Sequence, residues 1–367
     1  LFVFLRYIFH SLFPFGWFWV GIIINHGNRL FQASSPSNVR NLSDVIQKIE
    51  IVRWLHNSKP LVYVGKCHPQ RLLDDYIGEK TKREIERILA DLKKNLDDKS
   101  LESVDSFFSA HYIPMSPYIK NIIVEFNDRL IEDIPTTFEV SAREKWNLFA
   151  FNELDPKVFF YHHGLKLLGT ACSDYVQNKI FIDAGACHGD STLVLSQYHP
   201  SKIYAFEPSE HNLEIYKKVM HKNSIPPELY EIFQMGLGKE NKTVAFADSK
   251  DSGNTLRHAG KDLCKIVRLD DFMRDKKGNI GFLKADVEGY GLDLVQGAVE
   301  TLKRDRPILD ISIYHSGSEF FGVKPFLESL NLDYAFQIRH LSRIPYLEYE
   351  LLAYPKELAS SVSSPVS

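Results

Sequence analysis

A chain of 367 residues, 44% of them hydrophobic, can bury one large core and a smaller accessory one, which excludes a disordered or fibrous protein. A net charge of −3 gives no general attraction to nucleic acid, and the richest basic run, residues 80–87, is interleaved with Glu84 and Glu86 as a solvated helix face. Four cysteines, Cys67, Cys172, Cys187 and Cys264, stand far apart without a C-x-x-C pair. This argues against a zinc site and a disulfide scaffold and fits a reducing cytoplasm.

Residues 7–24, between Arg6 and Arg29, carry no Asp, Glu, Lys or Arg. The length is marginal for a bilayer span, Pro14 and Gly16 interrupt it, and Phe13, Phe15, Trp17, Phe18 and Trp19 suit a membrane interface. The expectation for segment 1–30 is a membrane-surface or core-packed helix, with a spanning helix and a signal peptide as alternatives. The protein is then cytoplasmic, peripheral to the inner face of a membrane. Residues 31–154 read as a helical or mixed accessory region. The clearest helix is 79–96, with Ile85, Ile88, Leu89, Leu92 and Leu96 on one face, and short strands are expected at 61–65 and 121–126.

From residue 155 the periodicity alternates between strand and helix. Strand-like runs fall at 180–182, 202–206, 230–234, 243–246, 281–285, 307–313, 333–338 and 348–353. The best helix between them is 290–302, with Leu294, Val295, Ala298 and Leu302 on one face. This pattern predicts an α/β fold with a parallel core, and the short connection at 339–346 adds an antiparallel strand. The tail at 356–367 is expected to be disordered.

The most informative stretch is 180–192, IFIDAGACHGDST. A buried strand ends at Asp183, Gly185 and Gly189 allow a tight turn, and a helix opens at Asp190 or Ser191. In a doubly wound sheet that place is the ligand crevice. The spacing departs from G-x-G-x-x-G, which disfavours a pyrophosphate. The next strand ends at Glu207, 24 residues after Asp183, where a carboxylate meets ribose hydroxyls. Close backbone approach without a phosphate cradle, plus a ribose acid, suits S-adenosylmethionine. The plainer alternative is an ordinary strand-turn-helix in which Asp183 caps the turn.

Residues 282–290, FLKADVEGY, repeat this logic. Asp286 and Glu288 come to the same sheet edge, and the following strand delivers Tyr314 and His315 there. A hydroxyl acceptor for a methyl group needs its proton taken. His315 is the candidate base, with Asp286 orienting it or binding the hydroxyl and Glu288 beside them. Mg²⁺ or Mn²⁺ on Asp286, Glu288 and His315 is a second route, and a metal is not expected. The plainer readings are a helix-start carboxylate for Glu288, a loop histidine for His315, and a lysine at Lys284 that neutralises the acids. Asp310, inside an apolar strand, requires a buried donor or a place near the crevice.

Taken in order, FIDAGACHGDST (181–192), IYAFEPSEHNLEIYKKVMHKN (203–223), VRLDDFM (267–273), GFLKADVEGYGLDLVQGA (281–298) and DISIYHS (310–316) make the chain similar to the FkbM family of S-adenosylmethionine-dependent methyltransferases. The resemblance spans 155–354. It implies a seven-stranded class I, Rossmann-like sheet with a helical accessory region before it, S-adenosylmethionine as donor, and O-methylation of sugars or other natural-product hydroxyls. By position it places Asp183, Gly185 and Gly189 at the methionine side of the donor, Glu207 at the ribose, and Asp286, Glu288 and His315 on the acceptor side. Cys187-His188 and Gly291 depart from the family pattern.

The function expected is O-methylation of a hydroxyl on a sugar or glycan precursor. A methyltransferase for a non-sugar metabolite and a catalytically silent nucleoside-binding module are the alternatives. The expected partners are a saccharide or small-molecule acceptor and a membrane surface, without nucleic acid.

Overall fold

The computed structural model describes residues 61–63, 73, 75–111, 124–126, 134–135, 137–246, 262–342 and 347–361. The hydrophobic segment 1–30 and the tail 362–367 lie outside them. Among the described residues no helix is long and apolar enough to cross a membrane.

Among the described residues twelve strands form in chain order: β1 (Leu61–Tyr63), β2 (Val124–Phe126), β3 (Ile180–Ala184), β4 (Lys202–Phe206), β5 (Tyr230–Phe233), β6 (Gly236–Leu237), β7 (Lys242–Phe246), β8 (Asp262–Val267), β9 (Ile280–Ala285), β10 (Ile308–Ser312), β11 (Tyr334–His340) and β12 (Tyr349–Pro355). Seven of them make one sheet in the order β11-β12-β10-β9-β3-β4-β5. Pairing is parallel from β10 to β5 and antiparallel at β12, as the short connection before β12 required. The chain runs from β3 outward to β5 and then crosses back to place β9 beside β3. The order reverses there, and a crevice opens at the carboxyl ends of these strands.

The helices that bear on the site are α1 (Lys82–Lys93), α2 (Asp98–His111), α3 (Thr137–Lys145), α4 (Pro156–Phe159), α5 (Gly169–Val176), α6 (Asp190–Leu195), α7 (Glu210–Lys222), α8 (Leu269–Met273), α9 (Gly291–Gln296), α10 (Val299–Asp305) and α11 (Gly317–Ser329). Side-chain alternation divides the sheet between two layers. Ile182, Leu283 and Ile311 pack in one buried cluster with Leu294, Val295, Leu302 and Phe320. Phe181, Phe282 and Ile308 pack in another with Leu165, Leu168, Cys172 and Val176. The central strands are buried along their whole length, which is why they read as continuous apolar runs.

Four elements differ from the sequence expectation. The helix expected at 79–96 is shorter, because Thr81 and Glu84 form a reciprocal capping box that sets its start. The helix expected at 290–302 is two helices, α9 and α10. Gly297 lies between them where a Cβ would come within 2.0 Å of the Gly238 carbonyl oxygen, and its own carbonyl accepts from the Asp270 amide at 3.0 Å. The run at 243–246 leaves the main sheet and pairs in a separate three-stranded sheet, β6-β8-β7. Order extends past residue 355, since Lys356–Ser361 form a 3₁₀ helix held by Arg306 Nη1 on Glu357 at 2.7 Å.

The accessory region closes the open edge of the sheet. Helix α2 lies along edge strand β11, where Ser100 Oγ accepts from the Ile338 amide at 2.9 Å and the Arg339 guanidinium pairs with Asp97. Covering an edge removes a row of unpaired backbone groups from solvent. Burial would raise the Asp97 carboxyl, but Arg339 and Ser100 outweigh it and hold it at about 2. A depressed carboxyl stabilises the fold above its unfolded value of about 4 and loses that contribution as pH falls through about 2. Asp97→Asn is therefore expected to lower Tm at pH 6 by a few degrees, and the gap from wild type should close as thermal scans approach pH 2.

Candidate active site

A cavity of about 450 Å³ opens at the crevice, between the loops that follow β3, β4, β9 and β10 and a wall formed by α4 and the residues before β12. One side of its lining is set by the turn after β3. Gly185 has φ +78°, and a Cβ there would fall 1.8 Å from the Asp286 carbonyl oxygen, so only glycine lets the loops after β3 and β9 meet. Glu207, at the end of β4, lines the cavity. One of its oxygens accepts from the Cys187 amide at 3.0 Å, and the other from the Ser209 amide at 2.9 Å and Asn212 Nδ2 at 3.2 Å. Burial pushes this carboxyl up, while those donors and Lys284 pull it down, with burial prevailing.

Asp183 and Gly189 sit elsewhere than the sequence placed them. Neither lines the cavity. Asp183 is wholly buried, accepts from Thr192 Oγ1 at 2.8 Å and pairs with Lys284 Nζ at 3.2 Å. Lys284 also donates to the Gly185 carbonyl at 2.6 Å, so this lysine neutralises the strand end and pins the glycine turn together. At Gly189 a Cβ would fall 2.8 Å from the Tyr216 ring, so packing against α7 explains that glycine.

Asp286, Glu288 and His315 do converge. His315 Nε2 lies 3.5 Å from Asp286 Oδ1 and 3.7 Å from Glu288 Oε2, and Nδ1 faces Glu319 at 3.8 Å. Glu288 is held at φ +51°, a left-handed conformation uncommon for a side-chain-bearing residue. Burial first, then Asp286 and Glu348, push its carboxyl up to about 7. Burial acts on Asp286 in the same direction, but Lys157, then His315 and Lys284, hold it well below the usual carboxylate range.

Sequence reasoning missed Lys157, Glu348 and Glu350. Asp155 caps α4 by accepting from the Lys157 amide at 2.8 Å, and the capped turn aims the Lys157 side chain inward. Its buried Nζ meets Asp286 Oδ2 at 2.7 Å, Glu350 Oε1 at 3.4 Å, and Glu348. Those three carboxylates overcome the cost of burial and hold the ammonium charged. Tyr314 donates to Glu348 Oε1 at 3.0 Å. The apolar alternation of β12 in LEYELLAYP was the available signal: Glu350 stands in it as a buried acid in need of a cation. Asp310 finds its partner in His163, with Nδ1 3.2 Å from Oδ2.

Among the described residues no group of three or more His, Cys, Asp and Glu is arranged to hold a metal ion, and the charge amid the acid cluster is the Lys157 ammonium. The residues present do fit S-adenosylmethionine. The lining offers a carboxylic acid at Glu207, an open glycine turn and a preponderance of acids suited to a cation, while both lining lysines are committed to protein carboxylates.

The strand order, the glycine turn and the acid ending the second strand of the parallel core make a seven-stranded α/β sheet with a cavity at its reversal. Residues 183–341 match the methyltransferase FkbM domain. The crystal structure of Methyltransferase FkbM from Methylobacillus flagellatus is similar to it, at 17% identity and a TM-score of 0.50 over 74% of this chain and 59% of that one. An rRNA methylase from Streptococcus thermophilus (17% identity, TM-score 0.36, 54% of this chain and 95% of that one) is also similar. So is the O-methyltransferase TomG from Streptomyces achromogenes, solved with SAM (13%, 0.37, 62% and 93%). The likeness to the first shows the fold. No protein of curated function matches the chain.

Removing the cation from a buried cluster leaves its carboxylates uncompensated, at a cost of about 3–5 kcal/mol. Lys157→Met should lower the denaturant midpoint accordingly, and Lys157→Arg should lower it less. Equal midpoints for Lys157→Met and wild type would contradict the role given to this lysine.

Proposed function

We propose that the protein is an S-adenosylmethionine-dependent O-methyltransferase acting on a hydroxyl of a sugar or glycan precursor, with residues 155–355 as its catalytic unit. The observation that carries this reading is that one cavity is lined both by Gly185 and Glu207 and by Asp286, Glu288 and His315. The donor supplies a methyl group already activated on a sulfonium. The chain's task is then to align the hydroxyl and accept its proton. Glu207 holds the ribose, and the Gly185 turn admits the donor against the backbone. On the other side His315 takes the hydroxyl proton, Asp286 orients the ring, and Glu288 titrates beside it. Contact between the aromatic segment 1–30 and a membrane surface would keep the enzyme near lipid-linked saccharides.

The test is transfer of a labelled methyl group from S-adenosylmethionine to a panel of saccharides, with and without a chelator. Labelled product in both arms is expected, and its absence across the panel would refute the sugar assignment. Glu207→Ala should weaken donor binding by ten-fold or more in calorimetry, and unchanged affinity would remove it from the ribose site. His315→Gln should slow transfer by about 10²-fold or more at unchanged donor affinity. Because the Glu288 carboxyl is held near 7, the wild-type rate should rise as pH passes through about 7, and Glu288→Gln should flatten that limb.

A further inference from the structure

Glu319 stands in the first turn of α11, four residues after His315, and is wholly buried. A carboxylate so placed is costly unless donors and a charge meet it. The Gly291 amide, at the start of α9, donates to Oε1 at 2.7 Å, and Ser316 Oγ donates to Oε2 at 3.3 Å. A Cβ at Gly291 would fall 2.9 Å from Oε1, so a side chain there would displace the carboxylate. Glu319 thus joins the start of α9, which follows Asp286 and Glu288, to the start of α11, which follows His315.

The two nitrogens of His315 meet different surroundings. Nε2 faces Asp286 at 3.5 Å and Glu288 at 3.7 Å, and all three residues line the cavity. Nδ1 is buried and faces Glu319 Oε2 at 3.8 Å, on a side where Glu319 itself does not line the cavity. That separation is a charge contact, longer than a hydrogen bond. Contacts to a catalytic base are often long before substrate binds and tighten in the reacting complex. On the Nε2 side Asp286 shares its charge with Lys157 at 2.7 Å, which weakens its pull on a ring proton. The turn that carries the ring is fixed twice over. Ser316 Oγ accepts from the Glu319 amide at 3.2 Å, and Asp75 accepts from the amides of Gly317 and Ser318 at 2.9 and 3.2 Å.

We propose that Glu319 is a positioning residue for methyl transfer: it keeps the His315 proton on Nδ1, so that Nε2 is presented to the acceptor hydroxyl, and it stabilises the imidazolium that forms. The proposal rests on the methyl-transfer reading and goes beyond it by naming the ring tautomer and the group that sets it. In the step, the hydroxyl oxygen bonds to the methyl carbon as the carbon–sulfur bond breaks, and that bond's electron pair stays on sulfur as a neutral thioether. The hydroxyl proton passes to Nε2. The ring then holds two protons and a positive charge, which the Glu319 carboxylate faces from behind, and it returns one proton to solvent afterwards. A carboxylate behind the far nitrogen of a histidine base serves the same end in other proton-transfer sites, where it fixes the tautomer and is not itself protonated.

The experiment is nitrogen-15 NMR of the full chain labelled at histidine and saturated with S-adenosylhomocysteine, with His315→Gln assigning the signal. In the neutral ring of wild type the proton is expected on Nδ1. Glu319→Gln keeps an oxygen for the Gly291 amide but loses the charge, and it should move the ring toward the Nε2 tautomer. Retained affinity for S-adenosylhomocysteine in calorimetry shows that the variant folds; should it not fold, Gly291→Ala, which displaces the carboxylate without removing it, is read in its place. In the labelled-methyl assay Glu319→Gln should lower kcat by about ten-fold or more with donor affinity unchanged. A wild-type ring protonated on Nε2, the same tautomer in wild type and variant, or an unchanged kcat overturns the proposal while leaving the methyl-transfer reading in place. Failure of S-adenosylhomocysteine to bind wild type overturns that reading and the proposal with it.

Discussion

The ammonium of Lys157 ties together three parts of the chain at the cavity. It comes from α4, before the methyltransferase domain match begins. Its carboxylate partners come from the loop after β9, at Asp286, and from around the start of β12, at Glu348 and Glu350. A buried ion pair is poor evidence of net stability, since the cost of desolvating both charges can exceed their attraction. Its consequence here is geometric. With Oδ2 held by Lys157, Asp286 turns Oδ1 toward His315, and the acceptor wall acquires a fixed shape.

Lys284 performs the matching task at the turn after β3. It joins Asp183 of β3 to the carbonyl of Gly185, so the turn that admits a ligand is fixed from below by a buried charge pair. The two lysines thus fix the two halves of one cavity, and both spend their charge inside the protein. The lining left to a ligand is acidic. This suits a ligand that carries positive charge.

Much of the fold was legible in the sequence because the physics there is local. Mostly apolar runs such as 180–182 and 281–285 read as strands covered on both faces, and the short link before β12 favoured an antiparallel partner. That Gly185, Glu207, Asp286, Glu288 and His315 would line one crevice was legible because each stands within three residues of a strand end. Asp183 was misjudged because the acid that ends a strand is equally suited to a ligand or to a buried lysine, and only the register of β3 with β9 decides between them: Asp183 sits opposite Lys284. Lys157, Glu348 and His163 were not legible, since their roles arise from contacts across more than a hundred residues of chain or from a left-handed backbone that no periodicity announces. The break at Gly297 likewise depends on the approach of Gly238, a tertiary event.

The central claim is that the cavity at the reversal of strand order is a methyl-donor site. Calorimetric titration of the full-length protein with S-adenosylmethionine tests it most directly. The account predicts a single site, with heat of binding that S-adenosylhomocysteine competes away. Absence of binding, or binding that S-adenosylhomocysteine does not displace, would contradict it.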